Sequence, residues 1–202
     1  MAASAALSRD KREAILDGAA AVFSAHGYEG ASMSMITAAA GVSKGTIYQH
    51  FTGKAALFGA TVARECERSL APLIQDPATL PDLAEALRDI GTRLIAMLTS
   101  PEGLAIERVV MTEAARFPEL AEAFFAAGPA SGLALMARLL AARTQAGELA
   151  VADPVFAAEQ FCMLCQAGTV MRTRLGLPVG PDDAARAVDE AVRVFLRAYA
   201  AA

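Results

Sequence analysis

Across residues 1–60 the apolar positions recur at helical spacing. Ile15, Ala19, Val22 and Phe23 follow the i, i+4, i+7, i+8 order of one helix face. Ser8 is the predicted N-cap of this first helix, with Asp10 in its first turn. His26-Gly27 reads as its end, with Gly27 at the left-handed position and His26 near the negative dipole end. Ile36 and Ala40 lie four apart on the face of a second, short helix, and Ile47 and Phe51 on that of a third. Between them Gly41 supplies the positive φ that stops a helix at low cost. Val42 plugs the angle and Ser43 caps the third helix. Thr52-Gly53 breaks that helix, and a longer one opens at Lys54.

Further helical segments follow. One runs from Lys54 to Leu70 and stops at Pro72, and Gln75–Pro81 forms a loop. A helix from Asp82 to Thr99 comes next, then one opened by Ser100-Pro101-Glu102 that ends near Phe117-Pro118. Glu119 to Ala127 is short, and Gly128-Pro129 reads as a hinge. Ala130 to Gln145 ends at Gly147, and Asp153-Pro154 caps a helix to about Arg174. After the loop LGLPVGPDD the last helix spans Asp182 to Ala200. The prediction is an all-α chain of about nine to ten helices. It divides into a three-helix domain over 1–60 and a second helical domain over 61–202.

The short helices carry the candidate chemistry. A helix held by Ile47 and Phe51 leaves Lys44, Thr46, Tyr48, Gln49 and His50 on its other sides. That is how a helix-turn-helix, here over about 34–53, places a recognition helix in the major groove. Gly45 has no side chain to hold the backbone away from a phosphate. Lys54 in the first turn of the next helix combines an ammonium with a helix N-terminus, a natural phosphate site. The strings AILDGAAAVFSAHGYEGAS, ITAAAGVSKGTIYQHF and GKAAL resemble the TetR family of transcriptional repressors over roughly the first third of the chain. Carried over by position, the resemblance implies that Ser43, Lys44, Gly45, Thr46, Tyr48, Gln49, His50 and Lys54 face double-stranded operator DNA.

Charge changes this picture modestly. The net charge is −4, yet residues 1–60 hold five basic groups (Arg9, Lys11, Arg12, Lys44, Lys54) against four acidic ones. All three lysines lie within the first 54 residues. The asymmetry fits a DNA-reading end joined to an acidic body. The run Leu133–Ala142 is interrupted by Arg138, so no membrane span is expected. MAASAAL reads as a disordered arm, too short and too weakly apolar for a secretory signal, and the expected compartment is the cytoplasm. Three cysteines without framework spacing agree with a reducing compartment. Two histidines and no ordered nucleophile or acid–base set argue against an enzyme, and no metal or cofactor is expected. The rival is a small helical enzyme or binding module with an incidental helix-turn-helix.

From EGLAIERVV to GELAVADPVFAAEQF the chain also resembles the AefR-like branch of that family, which implies a ligand-binding and dimerisation domain. Val188, Val192, Phe195, Leu196 and Tyr199 form an apolar stripe on the last helix. By pattern alone it is either one buried helix of a monomer core or part of a two-fold four-helix interface; the resemblance favours a homodimer. Met97, Met111, Phe125, Met136, Phe161 and Gln166 are candidates for a flexible, largely apolar effector pocket, against the alternative of plain core packing. The resemblance thus implies a repressor released from its operator by an unknown small molecule. Two alternatives stay open. One is a DNA-binding protein without an effector, and the other a thiol-based sensor through Cys162 and Cys165, which share a helix face.

Overall fold

The structure is a computed structural model that describes residues 2–70 and 82–201. Its helices are α1 (Ala2–Gly30), α2 (Met33–Ala40), α3 (Lys44–His50), α4 (Lys54–Leu70), α5 (Leu83–Thr99) and α6 (Pro101–Glu113). They continue as α7 (Pro118–Phe125), α8 (Ser131–Gln145), α9 (Pro154–Gln166), α10 (Thr169–Arg174) and α11 (Asp183–Tyr199). The all-α class read from the pattern is the observed one. The stop at Pro72 and the loop over Gln75–Pro81 lie outside the described residues.

Starts are set by side-chain caps. Ser32 accepts from Met35 N at 3.2 Å and Ser43 from Thr46 N at 3.1 Å. Asp82 accepts from Ala84 N at 3.1 Å, and Asp153 from Val155 N and Phe156 N at 3.1 and 3.0 Å. Each satisfies a backbone donor that has no partner within its own helix. The start of the first helix expected at Ser8 lies earlier, at Ala2.

Three boundaries differ from the expected ones. α6 stops at Glu113 because Ala114–Arg116 turn and Phe117 leaves the helical conformation before Pro118. Gly128-Pro129 lies in a π-helical turn, Ala126–Ala130, that joins α7 to α8, and the first compact unit ends at Pro129. Proline lacks an N–H and crowds the carbonyl one turn back, and a widened turn accommodates both. The helix expected from Asp153 to Arg174 is two, broken where Gly168 takes φ 87°. The helical run Pro118–Gln145 is, by length and composition alone, apolar enough to cross a membrane. It buries Leu120 near one end and Met136, Leu139 and Leu140 near the other.

The contacts divide the chain into two compact units that do not follow a single cut near residue 60. The first joins the described residues up to Glu65 with Ala105–Pro129; the second joins Cys66–Leu104 with Ala130–Ala202. In the first, Ile15, Leu16, Ile36, Ile47, Leu57 and Phe58 are fully buried and bind α1 through α4 together. Arg64 of α4 also reaches Asp17 and Glu13 of α1, at 2.7 and 3.3 Å. In the second unit, Leu87 of α5, Met136 and Leu139 of α8, Phe161 of α9, and Val188 and Phe195 of α11 centre the core. The Phe161 and Phe195 rings meet edge to face at 5.4 Å. Ala150 N donates to Tyr199 O at 2.8 Å, which ties the end of α11 to the segment after α8.

Candidate DNA interface

The recognition geometry begins with two glycines. Gly41 closes α2 in the left-handed conformation (φ 63°), and its N–H donates to Ala38 O at 3.3 Å. The chain therefore reverses within a few residues and α3 starts at once, capped by Ser43. Gly18 lets α1 and α2 approach closely, since a Cβ there would lie 2.8 Å from Ala40 N. Ile47 is fully buried beneath α3 and Phe51 nearly so.

The outer face of α3 is what this anchoring leaves. Ser43, Lys44, Gly45 and Gln49 are exposed, and Tyr48 is 49% exposed. Thr46 and His50 are half-buried at the edges. The Ser43 and Thr46 hydroxyls sit 2.8 Å apart and share a hydrogen bond, so Thr46 is engaged in the cap. A bare aromatic ring, an amide and an ammonium on one short helix are the chemistry that DNA bases and phosphates accept.

Lys54 is half-buried and is held by the fold as well as by its place at the start of α4. Its Nζ donates to Tyr28 O at 2.6 Å and to Ala31 O at 3.1 Å, and lies 4.4 Å from the centre of the Tyr28 ring. Two of an ammonium's three donors are thus used inside the fold. Tyr28, which follows Gly27 and folds back onto the small core, also meets Phe23, Phe58 and Phe117 through its ring.

Of the expected interface stripe, three residues are used up inside the fold and two, Leu196 and Tyr199, are half-buried. Val188, Val192 and Phe195 are only 1–2% exposed within the second unit's own core, and Leu196 and Tyr199 pack against it. A side chain without free surface cannot meet a partner chain. The exposed apolar residues of α9 and α11 are instead Val155, Phe156, Met163, Leu164 and Val194.

Of the six pocket candidates, Met97, Met136, Phe161 and Gln166 belong to the second unit and Met111 and Phe125 to the first. Met136 and Phe161 are core, and Met97 is half-buried in the same unit. Met111 and Phe125 belong to the first unit and are exposed there. The Gln166 amide donates to Cys162 O at 3.1 Å. The second unit does carry an open groove of about 440 Å³ among Leu164, Thr169, Arg172, Arg186, Glu190 and Val194, with none of the six in its wall.

Cys162 and Cys165 are free thiols. Burial pushes Cys162 up to about 11, helped by the nearby Glu159 charge, and Cys165 up to about 12, helped by Cys162. Both therefore stay protonated at neutral pH, and the thiolate that a redox or metal site uses is absent. Alkylation of both by iodoacetamide at pH 7.5 is expected to be slow in the folded protein and fast in denaturant. Because both folded values lie above the ordinary 9.0, these thiols stabilise the fold fully below pH 9. That contribution should fade as pH rises from there through 11 to 12. Rapid modification of native protein at pH 7.5 would restore the thiol-sensor reading.

A short helix anchored on one face, bare on the other and set at a tight turn defines a helix-turn-helix DNA-binding regulator. Residues 15–61 match the bacterial regulatory proteins of the tetR family, and residues 85–201 match the C-terminal domain of AefR-like transcriptional repressors. The chain belongs to the TetR family, whose members are DNA-binding regulators and not enzymes. It is 28% identical to a TetR-family transcriptional regulator from Mesorhizobium loti, with a TM-score of 0.79 over 96% of this chain and 98% of that one. It is 31% identical to the flavonoid-responsive regulator FrrA, with a TM-score of 0.76 over 94% and 97%. The transcriptional repressor AcnR of Corynebacterium diphtheriae is 37% identical over 92 residues, 46% of this chain. That match spans only 42% of AcnR's own length.

Proposed function

We propose that this chain is a homodimeric repressor that binds palindromic operator DNA in the cytoplasm and leaves it when a small, largely apolar effector binds. The observation that carries the reading is α3, with Ile47 buried beneath it and Lys44, Tyr48 and Gln49 bare above it. Ser43 and Gly45 allow close approach to the backbone, and Lys44 supplies charge. Gln49 has the paired donor and acceptor that adenine's major-groove edge accepts. The uncovered apolar residues of α9 and α11, with Met163 at 66% exposure, support a second copy of the chain as their cover. Two copies related by a two-fold axis present two recognition helices, which is why the operator is expected to be palindromic. FrrA's response to flavonoids supports an aromatic effector class, because this chain is similar to it over almost its whole length.

Selection of bound duplexes from a random library, with the salt dependence of binding measured on the winner, tests this. Paired half-sites are expected, about one helical turn apart or a multiple of it. Lys44→Ala should lower the salt slope by about one unit, and Gln49→Ala should relax preference at one base pair by about 1–3 kcal/mol. Single unpaired half-sites would overturn the dimer. Operator affinity unmoved by a panel of flavonoids and other apolar aromatics would favour a DNA-binding protein without such an effector.

A further inference from the structure

We propose that Glu113, far from the helix-turn-helix in sequence, is a positioning residue for operator recognition; this rests on the DNA-binding reading above. α1 is interrupted at Gly27, whose backbone (φ 70°, ψ −177°) is not helical. The residues after the break start a new turn, so their N–H groups have no partner behind them. Glu113, at the end of α6 and in the same compact unit, fills that place. Its Oε1 accepts from Tyr28 N at 2.7 Å, and its Oε2 accepts from Glu29 N. The carboxylate thus acts as an N-cap supplied from another helix, with charge-assisted bonds at the positive end of the turn.

Lys54 closes the other end of the same turn on the carbonyls of Tyr28 and Ala31. The Tyr28 residue therefore links a carboxylate from α6, through its N–H, to an ammonium from α4, through its C=O. Ser32, the cap of α2, follows directly. The direction in which α2 leaves this turn sets where α3 lies on the DNA. Phe117 adds an edge contact to the Tyr28 ring at 5.3 Å. Arg116 pairs with Glu29 through both nitrogens, at 2.6 and 2.7 Å. That pair is exposed and screened, so the part that orders the turn falls to Glu113.

Glu113→Gln tests the assignment, because the amide keeps the shape but turns an NH₂ toward one of the two backbone donors. The probes are the strongest duplex that the wild-type protein selects from a random library and a scrambled duplex of the same composition. Simple electrostatics predicts tighter binding to both, since a negative charge is removed. The positioning role predicts the opposite for the selected duplex. Its affinity should fall about tenfold, the scale of one charge-assisted hydrogen bond, while the scrambled duplex and the salt slope stay as in wild type. Amide exchange at Tyr28 and Glu29 should quicken in the DNA-free variant. Unchanged or tighter binding to the selected duplex, equal losses on both duplexes, or unchanged exchange at both amides would each overturn the proposal. A wild-type protein that selects no duplex would overturn the DNA-binding reading itself, and this inference with it.

Discussion

Phe195→Ala is expected to lower the unfolding free energy by about 3–5 kcal/mol, the range for truncating a buried aromatic. Phe195 is only 1% exposed. Its ring packs against Phe161 at 5.4 Å and Tyr199 at 4.8 Å. Removing it leaves a cavity among side chains from several helices that cannot all move in. Because the contacts lie inside one chain, the loss should be the same at every protein concentration. A double substitution on the outer face, Met163→Ser with Val194→Ser, should behave in the opposite way. Both side chains are largely exposed, so the monomer loses little, whereas a dimer built on that face loses apolar area and dissociates at higher concentration. Urea unfolding at two concentrations, with sedimentation of each variant, separates the two effects. A Phe195→Ala protein that unfolds like wild type yet falls apart into monomers would return that residue to the interface.

How far the sequence could be read depended on how local each determinant is. Helix faces, Gly41 and the Ser43 and Asp153 caps act within four residues, so their spacing is visible in the string. The exposed set on α3 followed from Ile47 and Phe51 for the same reason. The face of α11 was harder, since a stripe at helical spacing looks alike whether it meets its own chain or a second copy. Only packing shows that Val188, Val192 and Phe195 are used up internally. The pocket set could be named only by residue type, because methionine and phenylalanine at wide separation carry no information on which core they join. The internal partners of Lys54, the carbonyls of Tyr28 and Ala31, were not legible because they are backbone atoms more than twenty residues away. Glu113 was invisible as a cap, lying 85 residues from Tyr28. The break in α9 was missed because Gly168 sits in an otherwise apolar helical pattern, where an isolated glycine is usually tolerated.

Gly18→Ala tests whether the seat of α2 on α1 sets sequence recognition. In an open helix this change stabilises by about 0.5–1 kcal/mol, because glycine loses more backbone freedom on folding. Here the added Cβ would stand 2.8 Å from Ala40 N and 3.0 Å from both its Cα and Cβ. None of those atoms can rotate away, so α2 itself has to shift. Overpacking of this kind costs about 1–3 kcal/mol, which outweighs the gain in propensity and lowers the melting temperature without abolishing the fold. The larger effect should fall on DNA. Ala40 is the last residue of α2, directly before the turn that aims α3. A shift there carries Tyr48 and Gln49 away from the base edges while leaving every positive charge in place. Affinity for the selected operator should fall about 100-fold, the size of two lost base contacts at about 1–1.5 kcal/mol each. Affinity for scrambled DNA, which depends on phosphate charge, should stay close to wild type. Fluorescence anisotropy on both duplexes, at a temperature where circular dichroism shows the variant folded, gives the comparison. A folded Gly18→Ala protein that still selects the wild-type operator at wild-type affinity would show that α3 finds its bases without this seat.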